Sequence, residues 1–248
     1  MSWVLLRGLT REARHWGDLP QQLAAATSEP VITLDLPGNG VFCELSSPAT
    51  VSAMVMFVRE QLRQQGVATP CRVLAMSLGG MVATDWARQF PQEVAALVLV
   101  NTSMRPFSRS TDRLRPANWP VLLRLAGCWN EAAQAEQLIH GLTCRRSDTR
   151  DADIAAWAQI RRSAPVAAGN AWRQLWAAAR FSAAPSAPRC PVLLLSSADD
   201  GLVHPRCSAQ LAQAWQASHE IHPWAGHDLP HDDPHWLCKR ITGWPAGA

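Results

Sequence analysis

Apolar positions along the chain gather into short runs separated by stretches with a helical period. Runs of strand length occur at residues 3–6, 31–35, 72–76, 96–100, 192–196 and 220–222. Between the first four, residues 16–25, 49–65 and 78–90 read as helices, the last ended by Pro91. This alternation predicts an α/β fold, a doubly wound parallel sheet wrapped by helices.

The pattern breaks at about residue 104 and resumes near 185. No strand signal appears in between; Ala, Arg, Leu and Trp dominate, and Trp172, Leu175, Trp176 and Ala179 fall at i, i+3, i+4 and i+7. The expectation is a helical lid over residues 104–184, inserted into a core made of residues 1–103 and 185–248. The insertion's tryptophans (Trp119, Trp129, Trp157, Trp172 and Trp176) are expected to be packing residues, one or two of them facing a pocket.

Composition narrows the class. With 248 residues, 48% hydrophobic and 17% charged, the chain suits one large globular unit with little disorder. No apolar run approaches a membrane span and the N-terminus lacks the regions of a secretion signal, so a cytoplasmic protein with no membrane role is expected. Seven scattered cysteines without a C-x-x-C pair suggest reduced thiols and no zinc finger. A net charge of +3 gives no case for nucleic acid, but residues 101–185 hold twelve Arg against six Asp or Glu, so this segment carries +6 and the remainder −3. The plain reading is a solvated helix face in an Arg-biased composition, since the chain has one Lys and no Tyr. The sharper reading is a docking face for an acidic acyl carrier protein.

The candidate chemistry begins at A-M-S-L-G-G, residues 75–80, directly after the third apolar run. A serine attacking an acyl carbon needs an exposed Oγ, a neighbouring base and backbone N–H groups aimed at the developing oxyanion. A strand-to-helix turn with small residues two positions either side of the serine supplies this, and Ala75 and Gly79 occupy those positions around Ser77. Alanine in place of the usual first glycine adds one methyl. A serine here could also be a plain helix N-cap, so the partners matter. A-D-D-G-L-V-H-P follows the fifth run and P-W-A-G-H-D-L-P the sixth, giving the chain order serine, acid, histidine.

With those motifs in order, the chain resembles the small α/β-hydrolases of the esterase and carboxylesterase group, and is similar to the pimeloyl-carrier-protein methyl ester esterases of biotin synthesis. R-G-L at 7–9 resembles the family's H-G-x oxyanion loop, D-L-P-G-N-G at 35–40 its D-x-P-G-x-G turn, and D-G-L-V at 200–203 and G-H at 226–227 its acid and base sites. The resemblance implies a serine hydrolase acting on a small-molecule carboxylic ester or thioester without a cofactor. It makes Ser77 the nucleophile, His227 the base, Asp200 the orienting acid, and the backbone N–H groups of Leu9 and Leu78 the oxyanion hole. Two departures stand out: Arg7 replaces the family's histidine, and the chain begins at the strand that normally comes third, so a mostly parallel sheet of about six strands is expected.

Alternatives remain at several points. Asp199 competes with Asp200, although the D-x-L-V register favours the latter. Asp35 reads as a turn-former. A metal site among His219, His222, His227, His231, Asp232, Asp233 and His235 is disfavoured, because Pro230 prevents one continuous helix through them. Two other functions use the same scaffold: a carbon–carbon lyase of the menaquinone-pathway type, and a non-catalytic binding protein.

Overall fold

The computed structural model describes residues 1–245. Six strands, β1 (Trp3–Leu6), β2 (Val31–Leu34), β3 (Cys71–Met76), β4 (Val94–Val100), β5 (Val192–Ser197) and β6 (Ser218–His222), form one sheet in the order β2-β1-β3-β4-β5-β6. Every pairing is parallel. Helices α1 (Leu19–Thr27), α2 (Val51–Gln64) and α3 (Leu78–Gln89) connect the first four strands. Between β4 and β5 lie α4 (Ser110–Arg113), α5 (Trp119–Gly127), α6 (Ala132–Thr143), α7 (Arg150–Ser163) and α8 (Ala168–Arg180), and after β5 come α9 (Arg206–Trp215), α10 (Leu229–Asp232) and α11 (Pro234–Gly243). Among the described residues, no helix is long and apolar enough to cross a membrane.

The central strands β1, β3, β4 and β5 are nearly continuous in apolar residues because both faces of a parallel sheet are covered there, whereas the edge strand β6 is mostly polar. Successive side chains go to opposite sides. Val4, Leu6, Val73, Ala75, Leu97 and Leu99 join a core with Val55 and Val58 of α2, Trp86 of α3 and Leu211 of α9. Trp3, Leu5, Leu74, Met76, Val98 and Val100 join a second core with Leu19 and Leu23 of α1 and Leu237 and Ile241 of α11.

Two expectations need correction. The first helix starts at Leu19 rather than residue 16, because Gly17 at φ 54° separates it from a 3₁₀ turn at Ala13–Trp16. On α8 the Trp172/Leu175/Trp176 stripe faces outward, with Trp172 67% and Trp176 55% exposed, and Trp119 on α5 is also exposed. The face α8 buries is Asn170, Gln174 and Ala177. Its polar groups satisfy loops of the core: Gln174 Oε1 accepts the Thr10 N–H, and Gln174 Nε2 donates to Asn39 Oδ1 and Ser47 Oγ. Of the insertion's tryptophans, Trp157 is the one fully packed.

Candidate active site

The strand order reverses at β1, so the connections leaving β1 and β3 diverge to opposite sides and open a crevice beyond their carboxyl ends. Ser77 stands there, between β3 and α3, with φ 52° and ψ −116°. A residue with a side chain adopts that backbone at a cost, and such strain collects where a side chain must be presented. Thr10 and Asn101, which follow β1 and β4, also have positive φ. Gly79 is required by space: a Cβ there would lie 2.4 Å from Leu6 O and 2.6 Å from Arg7 O. Both obstacles are backbone, so Gly79→Ala should cost about 1–3 kcal/mol and displace the loop after β1, read as a lower urea midpoint with reduced activity. Ala75, by contrast, is fully buried in the sheet, in register with Leu6 and Leu99, and its methyl is part of the core.

The loop after β1 passes beside the serine hydroxyl. A Cβ on Gly8 would come within 3.1 Å of Ser77 Cβ and 3.7 Å of Ser77 Oγ. Leu9 follows on that loop, and Leu78 opens α3, where the first N–H groups lack intrahelical partners.

Asp200 and His227 meet at 2.7 Å, His227 Nδ1 donating to Asp200 Oδ2. The other carboxylate oxygen accepts the N–H groups of Leu202 and Val203, each at 2.9 Å. Both side chains are buried, whereas Asp199 is exposed. With Nδ1 donating, Nε2 keeps its lone pair.

Two residues at the end of β4 tie the histidine and serine backbones together. Asn101 Nδ2 donates to His227 O at 2.8 Å and Gly226 O at 3.2 Å, and its Oδ1 accepts the Ser197 N–H. Thr102 Oγ1 donates to Ser77 O at 2.8 Å, while the Ser77 N–H donates to Val100 O. Asn101 and Thr102 escaped the sequence reading; the one signal was an asparagine directly after a strand, a residue type that tolerates a left-handed backbone better than most others with a side chain.

A sequence model described as alpha/beta hydrolase fold matches residues 4–234. The chain belongs to that family. Among its curated relatives is "Putative carbamate hydrolase RutD" of Klebsiella pneumoniae (strain 342), 29% identical over 237 residues, covering 90% of this chain and 83% of that protein. Another is "Biotin biosynthesis bifunctional protein BioHC" of Cellvibrio japonicus (strain Ueda107), 27% identical over 247 residues, 96% of this chain and 46% of that protein. The fold is shared with a solved thermophilic esterase from Thermogutta terrifontis, at TM-score 0.77 and 24% identity over 98% of this chain and 89% of that one.

In this hydrolase Arg7 braces the site from beneath. It is 2% exposed, and its guanidinium makes a two-pronged pair with Asp228 at 2.6 and 3.0 Å. Its Cζ also lies 4.7 Å from the centre of the Trp16 ring. Asp228 is the residue after His227, so the pair links the loop after β1 to the histidine loop. Burial alone would push the Asp228 carboxyl up; the Arg7 guanidinium outweighs it and holds the group down at about 2.

The segment between β4 and β5 contacts the loops after β1, β5 and β6. Besides Gln174 on Thr10, Arg115 donates to Asp200 O and Asn118 to Gly201 O. Thr143 O accepts the Asp228 N–H. Asp232 accepts the N–H groups of Arg145, Arg146 and Gly226. Buried Glu136 bridges Arg11, on the loop after β1, and Arg161 of α7. Part of the insertion's arginine surplus is therefore internal structure. Asp35 accepts the N–H groups of Ala13 and Val41, holding a turn as expected. Of the histidines weighed as metal ligands, His219 contacts Ser196 and His222 contacts Asp233.

Proposed function

We propose that this hydrolase is a serine esterase, cleaving a carboxylic ester or thioester through an acyl-enzyme. The observation that carries the reading is a strained Ser77 after β3 and a buried Asp200–His227 pair, with the serine and histidine backbones held by consecutive residues at the end of β4. Ser77 Oγ attacks the acyl carbon as His227 Nε2 takes its proton, and Asp200 stabilises the imidazolium so formed. The N–H groups of Leu78 and Leu9 receive the oxyanion. His227 then protonates the leaving alcohol or thiol and activates the water that releases the acid. Residues 104–184 act as the lid on a core of 1–103 and 185–248, and the contacts of Gln174, Arg115 and Asn118 support that division.

The relative named as a carbamate hydrolase supports attack at an acyl carbon. Mixing the enzyme rapidly with a p-nitrophenyl ester should release a burst of nitrophenolate equal to the enzyme concentration, followed by slower turnover. Proton abstraction by a lyase would give no burst, and neither would a binding protein. The basic insertion supports an acidic acyl carrier as bearer of the ester, since Arg124 and Arg150 line a cleft of about 760 Å³ there. Turnover of a carrier-linked ester should then fall as salt rises while that of the free ester does not; equal salt response would refute the carrier.

A further inference from the structure

His140, Cys144 and His231 converge away from Ser77, each offering one ligand atom, and these atoms all lie within 4.8 Å of one another. His140 and Cys144 are one turn apart at the end of α6, so both project from the same side of the helix. His231 comes from α10, four residues past His227. Asp153 of α7 stands between the imidazoles, its Oδ2 3.0 Å from His231 Nε2 and 3.7 Å from His140 Nε2. The Trp157 ring packs against both histidines.

A second observation points to a ligand. His140 is 3% exposed, yet its Nε2 has no hydrogen-bond partner; 3.7 Å to the nearest carboxylate oxygen is too long for one. A buried polar atom left so is uncommon and costly.

We infer that His140, Cys144 and His231 form a structural Zn²⁺ site, with Asp153 as the carboxylate that completes or orients the set. Two imidazoles, a thiolate and a carboxylate make the nitrogen-and-sulfur-rich donor set that suits Zn²⁺ rather than a hard cation. Tetrahedral ligand atoms sit about 3.3–3.8 Å apart around zinc, so the cluster needs to contract only modestly. Binding forms the S–Zn bond as the thiol proton leaves to solvent, with no change of oxidation state. The ion would pin α6 and α7 to α10, and so the insertion to the histidine loop. The sequence reading weighed His231 with its chain neighbours; its partners come from the insertion, 91 and 87 positions upstream.

The test is a Co²⁺ titration of the chelator-treated full chain, followed by absorbance. One ion per chain should bind, with a thiolate-to-cobalt charge-transfer band and tetrahedral visible bands, both displaced by Zn²⁺. Cys144→Ser, close in shape, should lose the charge-transfer band while unfolding cooperatively without metal. His140→Gln should weaken binding about tenfold or more. Zn²⁺ should raise the unfolding midpoint of the wild type and not of Cys144→Ser. The absence of a charge-transfer band in the wild type, or an equal band and midpoint shift in Cys144→Ser, would overturn the site. Neither readout depends on turnover, so the site and the esterase reading fail separately.

Discussion

Ser77→Ala should lower kcat for a p-nitrophenyl ester by about 10⁴–10⁶-fold, the scale on which removal of a triad nucleophile acts. Stability should change little, because the bonds that hold this residue are made by its backbone: the N–H to Val100 O, and the carbonyl to Thr102 Oγ1. Alanine meets the same left-handed backbone at φ 52° with the same Cβ. Loss of activity with an unchanged urea midpoint separates a chemical role from a structural one. A kcat within tenfold of wild type would remove Ser77 from the mechanism.

The second large effect concerns stability. Arg7→Met, or Asp228→Asn alone, should cost about 3–5 kcal/mol, because each leaves one member of a fully desolvated pair uncompensated. The double variant Arg7→Met/Asp228→Asn should recover most of that loss, since neither charge then remains to be solvated. Additive losses in the double-mutant cycle would mean that the two groups do not act as a pair. The pair also sets an acid limit. Asp228 titrates at about 2 in the fold against an ordinary 3.8, so its contribution is present above about 4 and lost as pH falls toward 2. A gap of that size corresponds to roughly 2–3 kcal/mol. Urea midpoints at successive pH values, wild type against the double variant, would show the limb in the wild type alone.

How far the molecule was legible depended on whether a contact leaves a local mark. The middle of the sheet was readable because strands buried on both faces are runs of apolar residues, and strand ends moved by only one or two positions. Ser77, Asp200 and His227 were readable as motifs after β3, β5 and β6, and the Asp200–His227 bond brings two of them into contact. Arg7 looked like a departure because its partner, Asp228, lies 221 positions away; nothing near residue 7 announces a carboxylate. Asn101 acts through its amide on two other loops, again without a local mark.

The helix α8 went wrong for an instructive reason. Its apolar stripe was assigned to packing, but the core loops beneath it present unpaired backbone and side-chain groups, and Asn170 and Gln174 are what satisfy them. Where a helix covers loops rather than a sheet, the buried face is chosen by hydrogen bonding, and a hydrophobic pattern points outward. The His140–Cys144–His231 cluster was hidden likewise, since it assembles from the end of one helix of the insertion and a helix that follows His227.

The central claim is that Ser77 is the activated nucleophile. Its most direct test is reaction with a fluorophosphonate, followed by mass analysis of the intact chain and its peptides. One adduct per chain is predicted, located on Ser77, lost in Ser77→Ala and strongly slowed in His227→Ala. Equal labelling of wild type and Ser77→Ala, or an adduct on another residue, would contradict it.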